Sequence, residues 1–533
     1  MKKKSRSISN ICVALFFIVC VIAPLLSMLS RITPDGIQRV VSSPQFLPAV
    51  WNSISTAAVA TVASVLLALL AAWSLERTSI KGKALFGVLF TLPMLIPSIS
   101  HALGLVALWG KNGILTNLFR LDVSIYGFGG IVIGSIMYSF PVAFLMLAAI
   151  LRYEDGAPYR AATILGVPSL YQFRDISLPY MRRTILSAGF AVFTMIITDY
   201  GVPLMVRGKR ITLSVLMYDK AVSLMDYDAG STIGALLLLP AVAAFLVDIM
   251  NQEKPRNSFV SEPVIPRRKR VSNLLASFFC GGLALCVIAP IIAFCLMAFQ
   301  SKYPIDTTFT LRHVLKTIHR GADVYLFNSV LYALLAAIFG TVLAFSCAYM
   351  TSRLGGRFST CLHLVAITSM AIPGIVLGLS YVIFFHDSPI YGTVLIVVMV
   401  NAVHFFSSPY LMIYHTLEKL NPNLEAVGLC MGVKRVFVLR DVILPKVRGT
   451  LCEMFTYFFV NSMMTISAVS FLVPPSPKPV SLMINQFESQ RLLESASFVS
   501  LLILGINLLV KGGFSSLHRF RARKQFSTKW RSL

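Results

Sequence analysis

Five ionisable side chains fall inside strongly apolar stretches of the chain: Asp199, Glu453, His101, His363 and His404. A charge at membrane depth is costly and marks a functional position by default. Asp199, in Thr198-Asp-Tyr-Gly-Val-Pro203, and Glu453 are therefore the candidates for a polar pathway. The plainer alternatives are an interfacial site at the outer end of a helix for Asp199, and interhelical hydrogen bonding for Glu453 and the histidines. No His, Asp or Glu cluster has the spacing of metal ligands, so no metal is expected. No convergent set of nucleophile and base is present, so no catalytic residue is expected either. Of the nine cysteines, Cys12, Cys20, Cys280, Cys286, Cys295 and Cys347 lie in apolar runs, and no Cys-x-x-Cys pair occurs. A Gly-x-x-x-x-Gly-Lys-Ser/Thr loop is also missing, so this chain cannot cradle the phosphates of ATP.

A repeated polar segment carries the recognisable chemistry instead. One copy runs Tyr159-Arg-Ala-Ala-Thr-Ile-Leu-Gly166 and ends at Asp175-Ile-Ser-Leu-Pro179. The other runs Glu425-Ala-Val-Gly-Leu-Cys-Met-Gly432 and ends at Asp441-Val-Ile-Leu-Pro445. Glycine and proline stand at the same spacing in both. Pro158, or Asn421-Pro422 as cap and first-turn proline, starts a short helix. The small residues Ala161, Ala162, Ala426 and Gly428 leave one face shallow enough to sit against another protein. Gly166 and Gly432 let the chain turn out of the helix. Pro179 and Pro445, after Leu178 and Leu444, mark the return to the bilayer. A short helix outside the membrane, present twice, reads as a docking element.

The elements that position these segments are membrane spans. Only 13% of the residues are charged and 56% are hydrophobic, with a mean hydropathy of +0.77. A soluble chain carries about 25% charged residues. Twelve apolar runs of near-spanning length are expected as helices. They lie at 10–30, 50–75, 85–109, 126–150, 184–206 and 230–250, then at 272–298, 326–350, 361–385, 391–415, 449–472 and 496–511. The first follows Met1-Lys-Lys-Lys-Ser-Arg and resembles a signal peptide, but its length and its match to 272–298 make it a retained span. The net charge of +25 lies between the runs, which argues against nucleic acid and for membrane lipids as its surroundings. With both termini cytoplasmic, the inward segments collect most of the 47 Lys and Arg residues, including Arg152, Arg160, Arg174, Arg182 and Arg183.

The expected fold class is an all-α polytopic membrane protein of about twelve helices in two parallel six-helix repeats. Asn52-Ser53 matches Asn328-Ser329, Arg77 matches Arg353, and Ile96-Pro97 matches Ile372-Pro373, all at an offset of 276 residues. Leu145-Met146 matches Leu411-Met412 and Arg174-Asp175 matches Arg440-Asp441 at an offset of 266. Six spans per half make the repeats parallel, with a pathway at their interface. The organisation is then a first transmembrane domain at 1–250, a polar join at 251–270, a second transmembrane domain at 271–512 and a basic cytoplasmic tail at 513–533. Leu213-Ser-Val-Leu-Met217 and Val480-Ser-Leu-Met483 read as matching outer elements, suited to a gate or to a solute-binding protein. Gly130 and Gly134 form a small-xxx-small pair for close helix packing.

The two polar segments resemble the EAA loop of permease subunits in type I, binding-protein-dependent ABC importers, whose pattern is Glu-Ala-Ala, three residues, Gly, then Ile-x-Leu-Pro. With the repeat counted, the resemblance covers nearly the whole chain and implies two fused permease domains in a bacterial inner membrane. Each loop would insert into an ATP-binding subunit, two copies in all, and ATP would be used there. A periplasmic or lipid-anchored solute-binding protein would deliver the cargo. The sequence departs from the pattern at Tyr159-Arg160 in the first copy and at Val427-Gly428 in the second. The fused length is similar to ferric iron permeases, with 2-aminoethylphosphonate and thiamine as alternative solutes. A twelve-span secondary transporter is the rival class. It would place a Gly-x-x-x-Asp-Arg-x-Gly-Arg motif where this chain has Leu75-Glu-Arg-Thr-Ser-Ile-Lys-Gly82.

Overall fold

The computed structural model describes residues 12–120, 124–251, 264, 270–353, 356–421, 423–472 and 478–531. Pro422 and nearly all of the polar join lie outside them. Among the described residues eight helices are long and apolar enough to cross a membrane, and three further apolar helices are each bent at a short break. The fold is an all-α polytopic membrane protein, with one two-stranded hairpin at Gln300–Lys302 and Asp306–Phe309. The last helix, Leu493–Arg531, runs on through most of the basic tail.

Small residues decide which face of each span is buried. Most of the buried positions along Phe46–Arg77 are small, Ala49, Ser53, Ala57, Ala60, Ser64, Ala68, Ala71, Ala72 and Ser74 among them, and the helix packs most extensively on Phe128–Arg152. The Ser64 and Ser139 hydroxyls meet there at 2.8 Å. Val62, Leu66 and Leu70 point outward and are exposed. In a bilayer lipid is as apolar as leucine, so close backbone approach and interhelical hydrogen bonds select the contact face. Gly134 does the same for the fourth span, where a Cβ would lie 2.6 Å from Val202 Cγ1.

The third span of each half is broken, not continuous as 85–109 and 361–385 suggested. Lys83–Leu95 and Ser98–Phe119 meet at 105°, and Arg357–Ala371 and Gly374–Phe385 at 108°. The matching Ile-Pro pairs cause this. Proline pushes the preceding residue out of the helical region, and Ile96 (φ −125°, ψ 148°) and Ile372 (φ −97°, ψ 113°) are extended. The tenth span bends by 55° between His404 and Ser407. The fifth and eleventh runs end earlier than 206 and 472. Their helices stop at Thr198 and Met464, where Asp199 and Thr465, equivalent at the offset of 266, are both extended. The run to 206 continues as a separate short helix, Gly201–Val206.

The helices that lead into Leu178-Pro179 and Leu444-Pro445 share an unusual turn. Phe173–Ser177 and Leu439–Ile443 are each a single turn of π-helix. Proline lacks an N–H and its ring crowds the carbonyl four residues back. A wider turn just before it is a standard way to absorb that crowding.

The two halves interlock through their first spans. Cys12–Ser30 of the first half packs on Gly374–Phe385 of the second, where the Tyr381 hydroxyl donates to Cys20 O at 2.7 Å. Arg270–Phe299 of the second half packs on Ser98–Trp109 of the first, and just beyond it the Tyr303 hydroxyl donates to Ala107 O at 2.5 Å. Asn507 Nδ2 donates to Leu95 O at 2.9 Å, and the hydroxyls of Ser100 and Ser500 meet at 2.9 Å.

Candidate functional site

Where the broken third spans of the two halves face one another they leave a cavity of about 560 Å³. Its lining obeys the repeat. Pro97 and Pro373 both reach it, as do the offset-266 pairs Tyr138 and His404, Ala191 and Tyr457, Met195 and Asn461, and Asp199 and Thr465. The positions are therefore paired but the chemistry is not. Among the described residues Asp199 is the one acidic side chain in the lining, and no lysine or arginine joins it.

Asp199 stands at the break after the fifth span, and its carboxylate faces inward because of local backbone needs. The Val202 N–H donates to Asp199 Oδ2 at 2.9 Å, so the side chain caps the short helix Gly201–Val206. The Ser98 hydroxyl approaches the same carboxylate from the broken third span. The Ser214 hydroxyl donates to Asp199 O at 2.7 Å, and in the other half Ser481 donates to Thr465 O at 2.8 Å. Close approach is built with glycine. A Cβ on Gly201 would lie 2.4 Å from Ser98 Oγ, and one on Gly374 would lie 2.5 Å from Ser467 Oγ. The glycine sits on opposite partners of the two equivalent crossings.

Glu453 does not share this site. It is exposed on Leu444–Met464 and is not among the lining residues. His404 lines the cavity, whereas His101 is buried beside Tyr138 and His363 shares a hydrogen bond of 2.6 Å between its Nδ1 and the Tyr410 hydroxyl. Among the described residues no group of three His, Cys, Asp or Glu could hold a metal ion.

The two motif segments form short helices, Ala157–Ile164 and Asn423–Cys430. Each ends at a glycine of positive φ, Gly166 at +70° and Gly432 at +74°, a conformation that disfavours any side chain. Arg160, Ala161, Ala426 and Val427 are exposed, but Gly428 is not part of an outer face. It is buried against Val438, whose Cγ2 would lie 2.5 Å from an added Cβ. Beside exposed polar residues such as Arg160 and Lys434, both segments expose large apolar side chains at equivalent positions. Leu165 (79%), Leu170 (74%) and Tyr171 in the first copy match Met431 (74%), Val436 (70%) and Phe437 in the second. Two equivalent patches of this kind suit protein docking better than water.

The family model for the binding-protein-dependent transport system inner membrane component matches the chain twice, over residues 64–252 and 308–520. The chain belongs to this family. The doubled match covers both halves, each with its own motif segment. The ferric transport system permease protein FbpB of Actinobacillus pleuropneumoniae is 24% identical over 93% of this chain and 76% of its own length. A putative ferric transport system permease protein of Haemophilus influenzae is 24% identical over 87% of this chain. The thiamine transport system permease protein ThiP of Brucella abortus is 25% identical over 41%. This chain is thus a multi-pass permease component of a bacterial inner-membrane transport system.

Sequence reasoning placed Asp199 but missed the lining residues Tyr138, Tyr457 and Asn461. The repeat offset carries a signal for them, since each is the counterpart of another lining position. Glu154, which pairs with Arg77, carried no such signal. Its counterpart, Leu420, is apolar.

Proposed function

We propose that this permease forms the transmembrane pathway of an ATP-driven importer for iron(III). The carrying observation is that similarity to ferric permeases runs through both halves, whereas similarity to the thiamine permease covers less than half of the chain. The lining supports a cationic solute. A cavity whose charged side chain is a single carboxylate repels oxyanions at short range, where the low dielectric strengthens the interaction. Thiamine, also a cation, is the second reading that this lining favours over 2-aminoethylphosphonate.

The paired docking helices call for two copies of an ATP-binding subunit, one under each half. Closure of that pair around ATP draws Ala157–Ile164 and Asn423–Cys430 together, and the halves rock about the cavity from an inward-open to an outward-open pathway. The Lys and Arg distribution assigns both termini and both docking helices to the cytoplasmic side. The helices Leu213–Tyr218 and Val480–Ser489 are then on the opposite side, where a solute-binding protein delivers its cargo.

The test is affinity purification in mild detergent followed by reconstitution with the proteins that accompany the chain. A co-purifying ATPase, disulfide trapping from Leu165→Cys or Met431→Cys into its surface, and ATP-dependent uptake of radiolabelled iron(III) are expected. Asp199→Asn should lower that uptake while ATPase binding persists. Solute transport without ATP by the chain alone would overturn the reading in favour of a secondary transporter. Uptake of thiamine but not iron(III) would overturn the cargo alone.

A further inference from the structure

Each half ends its second span with an arginine, and the two arginines are held differently. In the second half Arg353 lies with its Nε 3.5 Å from Glu425 Oε1 on the docking helix. Its Nη2 also donates to Leu417 O at 2.9 Å and Leu420 O at 3.1 Å. In the first half the matching residue is Arg77, but the position equivalent to Glu425 holds Tyr159. Arg77 is no less buried, with a side chain 8% exposed. A guanidinium withdrawn from water without a carboxylate would be strongly unfavourable.

The carboxylate comes from elsewhere. Glu154, five residues before Tyr159 and 3% exposed, forms an ion pair with Arg77 through Oε2 and Nη2. The Tyr159 hydroxyl donates to Glu154 Oε1 at 2.6 Å, and the Ser177 hydroxyl in turn donates to the Tyr159 oxygen. The guanidinium also lies 5.7 Å from the Tyr159 ring centre. Three equivalent positions differ as a set. The first half has Glu154, Tyr159 and Ser177 where the second has Leu420, Glu425 and Ile443. Each set is self-consistent. With the carboxylate on the docking helix, the other two positions are apolar and Ile443 is buried. With the carboxylate displaced, both gain or meet a hydrogen-bonding group.

We infer that Glu154 is the positioning carboxylate of the first docking helix and replaces the glutamate that this helix lacks. The inference rests on the proposed docking role of these helices. Through it, Ala157–Ile164 is tied to the second span by the chain Tyr159–Glu154–Arg77 and to the start of the fifth span by Ser177. Displacement of the docking helix is thereby passed to two spans at once. In the second half, Glu425 makes the link to Arg353 in one step.

The test uses the assembled transporter in lipid nanodiscs and liposomes, with ATP hydrolysis and iron(III) uptake measured on the same preparations. Glu154→Gln and Tyr159→Phe are expected to keep the ATPase bound yet lower uptake per ATP by about tenfold. Tyr159→Phe leaves the Arg77 ion pair in place, so it carries the test if Glu154→Gln folds poorly. The graft E154L/Y159E/S177I, which installs the second half's set, should recover most of the coupling that E154L/S177I loses. Glu425→Gln separates the two levels of the argument. If it uncouples transport while Glu154→Gln and Tyr159→Phe do not, the displaced carboxylate has no role and the docking reading stands. If none of the three changes uptake per ATP, the docking reading falls with it. A graft no better than E154L/S177I also overturns the inference.

Discussion

The hydroxyl of Ser53 accepts a hydrogen bond from the Leu213 N–H at 2.7 Å, joining the second span to the first residue of the short helix Leu213–Tyr218. The second half repeats the bond between Ser329 and the Val480 N–H at 2.6 Å. The N-terminal N–H groups of a helix have no partner within it, and these are buried from water. Each of these short helices is thus held at its first residue from the second or eighth span, and through Ser214 or Ser481 from the end of the fifth or eleventh. Ser53→Ala and Ser329→Ala should each cost about 1–2 kcal/mol. A lowered thermal midpoint in detergent checks this. Ser55→Ala, whose hydroxyl bonds only within its own helix, should leave the midpoint unchanged.

The glycine–serine crossings beside the cavity should respond to volume. Gly201→Ala forces its Cβ against Ser98 Oγ, and overpacking of this kind costs roughly 1–3 kcal/mol. Adding Ser98→Gly removes the nearest obstacle but leaves the Ile99 backbone N 3.0 Å away and deletes the hydroxyl that meets Asp199, so it should restore the loss only in part. Gly374→Ala meets both Ser467 and His404, so Ser467→Gly should rescue it only in part. Gly281→Ala, with nothing within 4 Å of the added Cβ, should be neutral. Thermal unfolding of the five variants would decide the matter. A Gly201→Ala protein as stable as its parent would contradict the packing argument.

On the proposed function, the exposed apolar residues of the two motif segments should matter for assembly and not for folding. Leu165→Asp and Met431→Asp change side chains that are more than two-thirds exposed. Their effect on thermal stability should stay within about 0.5 kcal/mol. Placing a charge at the centre of an apolar interface should weaken retention of the ATPase by roughly tenfold or more. Pull-down with titrated ATPase reads both quantities from one preparation.

The hairpin after the seventh span should respond to acid. The Thr308 hydroxyl and N–H donate to Asp306 Oδ1 at 2.7 and 3.0 Å, and these bonds hold its carboxyl below the usual aspartate value. The folded-state value is the lower one, so its stabilising contribution is complete above about pH 4 and fades as pH falls further. Hydrogen exchange at 300–309 should stay constant from neutral pH down to that point, after correction for intrinsic rates, and rise below it. Asp306→Asn should remove the transition. The site lies at the surface of a short hairpin, so global stability should hardly change.

Much of the architecture was legible because it rests on local chemistry. Runs of apolar residues must satisfy their backbone internally and so form helices in lipid. The Ile-Pro pairs, the Gly-to-Pro spacing and the Asn-Ser pairs could be matched between halves without coordinates, and the turn at Gly166 and Gly432 follows from glycine itself. Hydropathy located the spans but not their breaks. The third spans contain no gap in apolarity at Pro97 or Pro373, so only backbone geometry reveals their bends of more than 100°.

By itself, the sequence determined that this is a twofold-repeated, helical membrane protein with two equivalent polar motif segments, because helix formation and repetition are properties of neighbouring residues. Only the tertiary structure decided that the first span of each half packs on the other half, that Asp199 faces a shared cavity while Glu453 does not, and that Arg77 finds its carboxylate at Glu154. These are questions of partner choice. A lipid-facing and a helix-facing surface are equally apolar, and a buried arginine accepts any carboxylate within reach, so the answer lies in which helices come together.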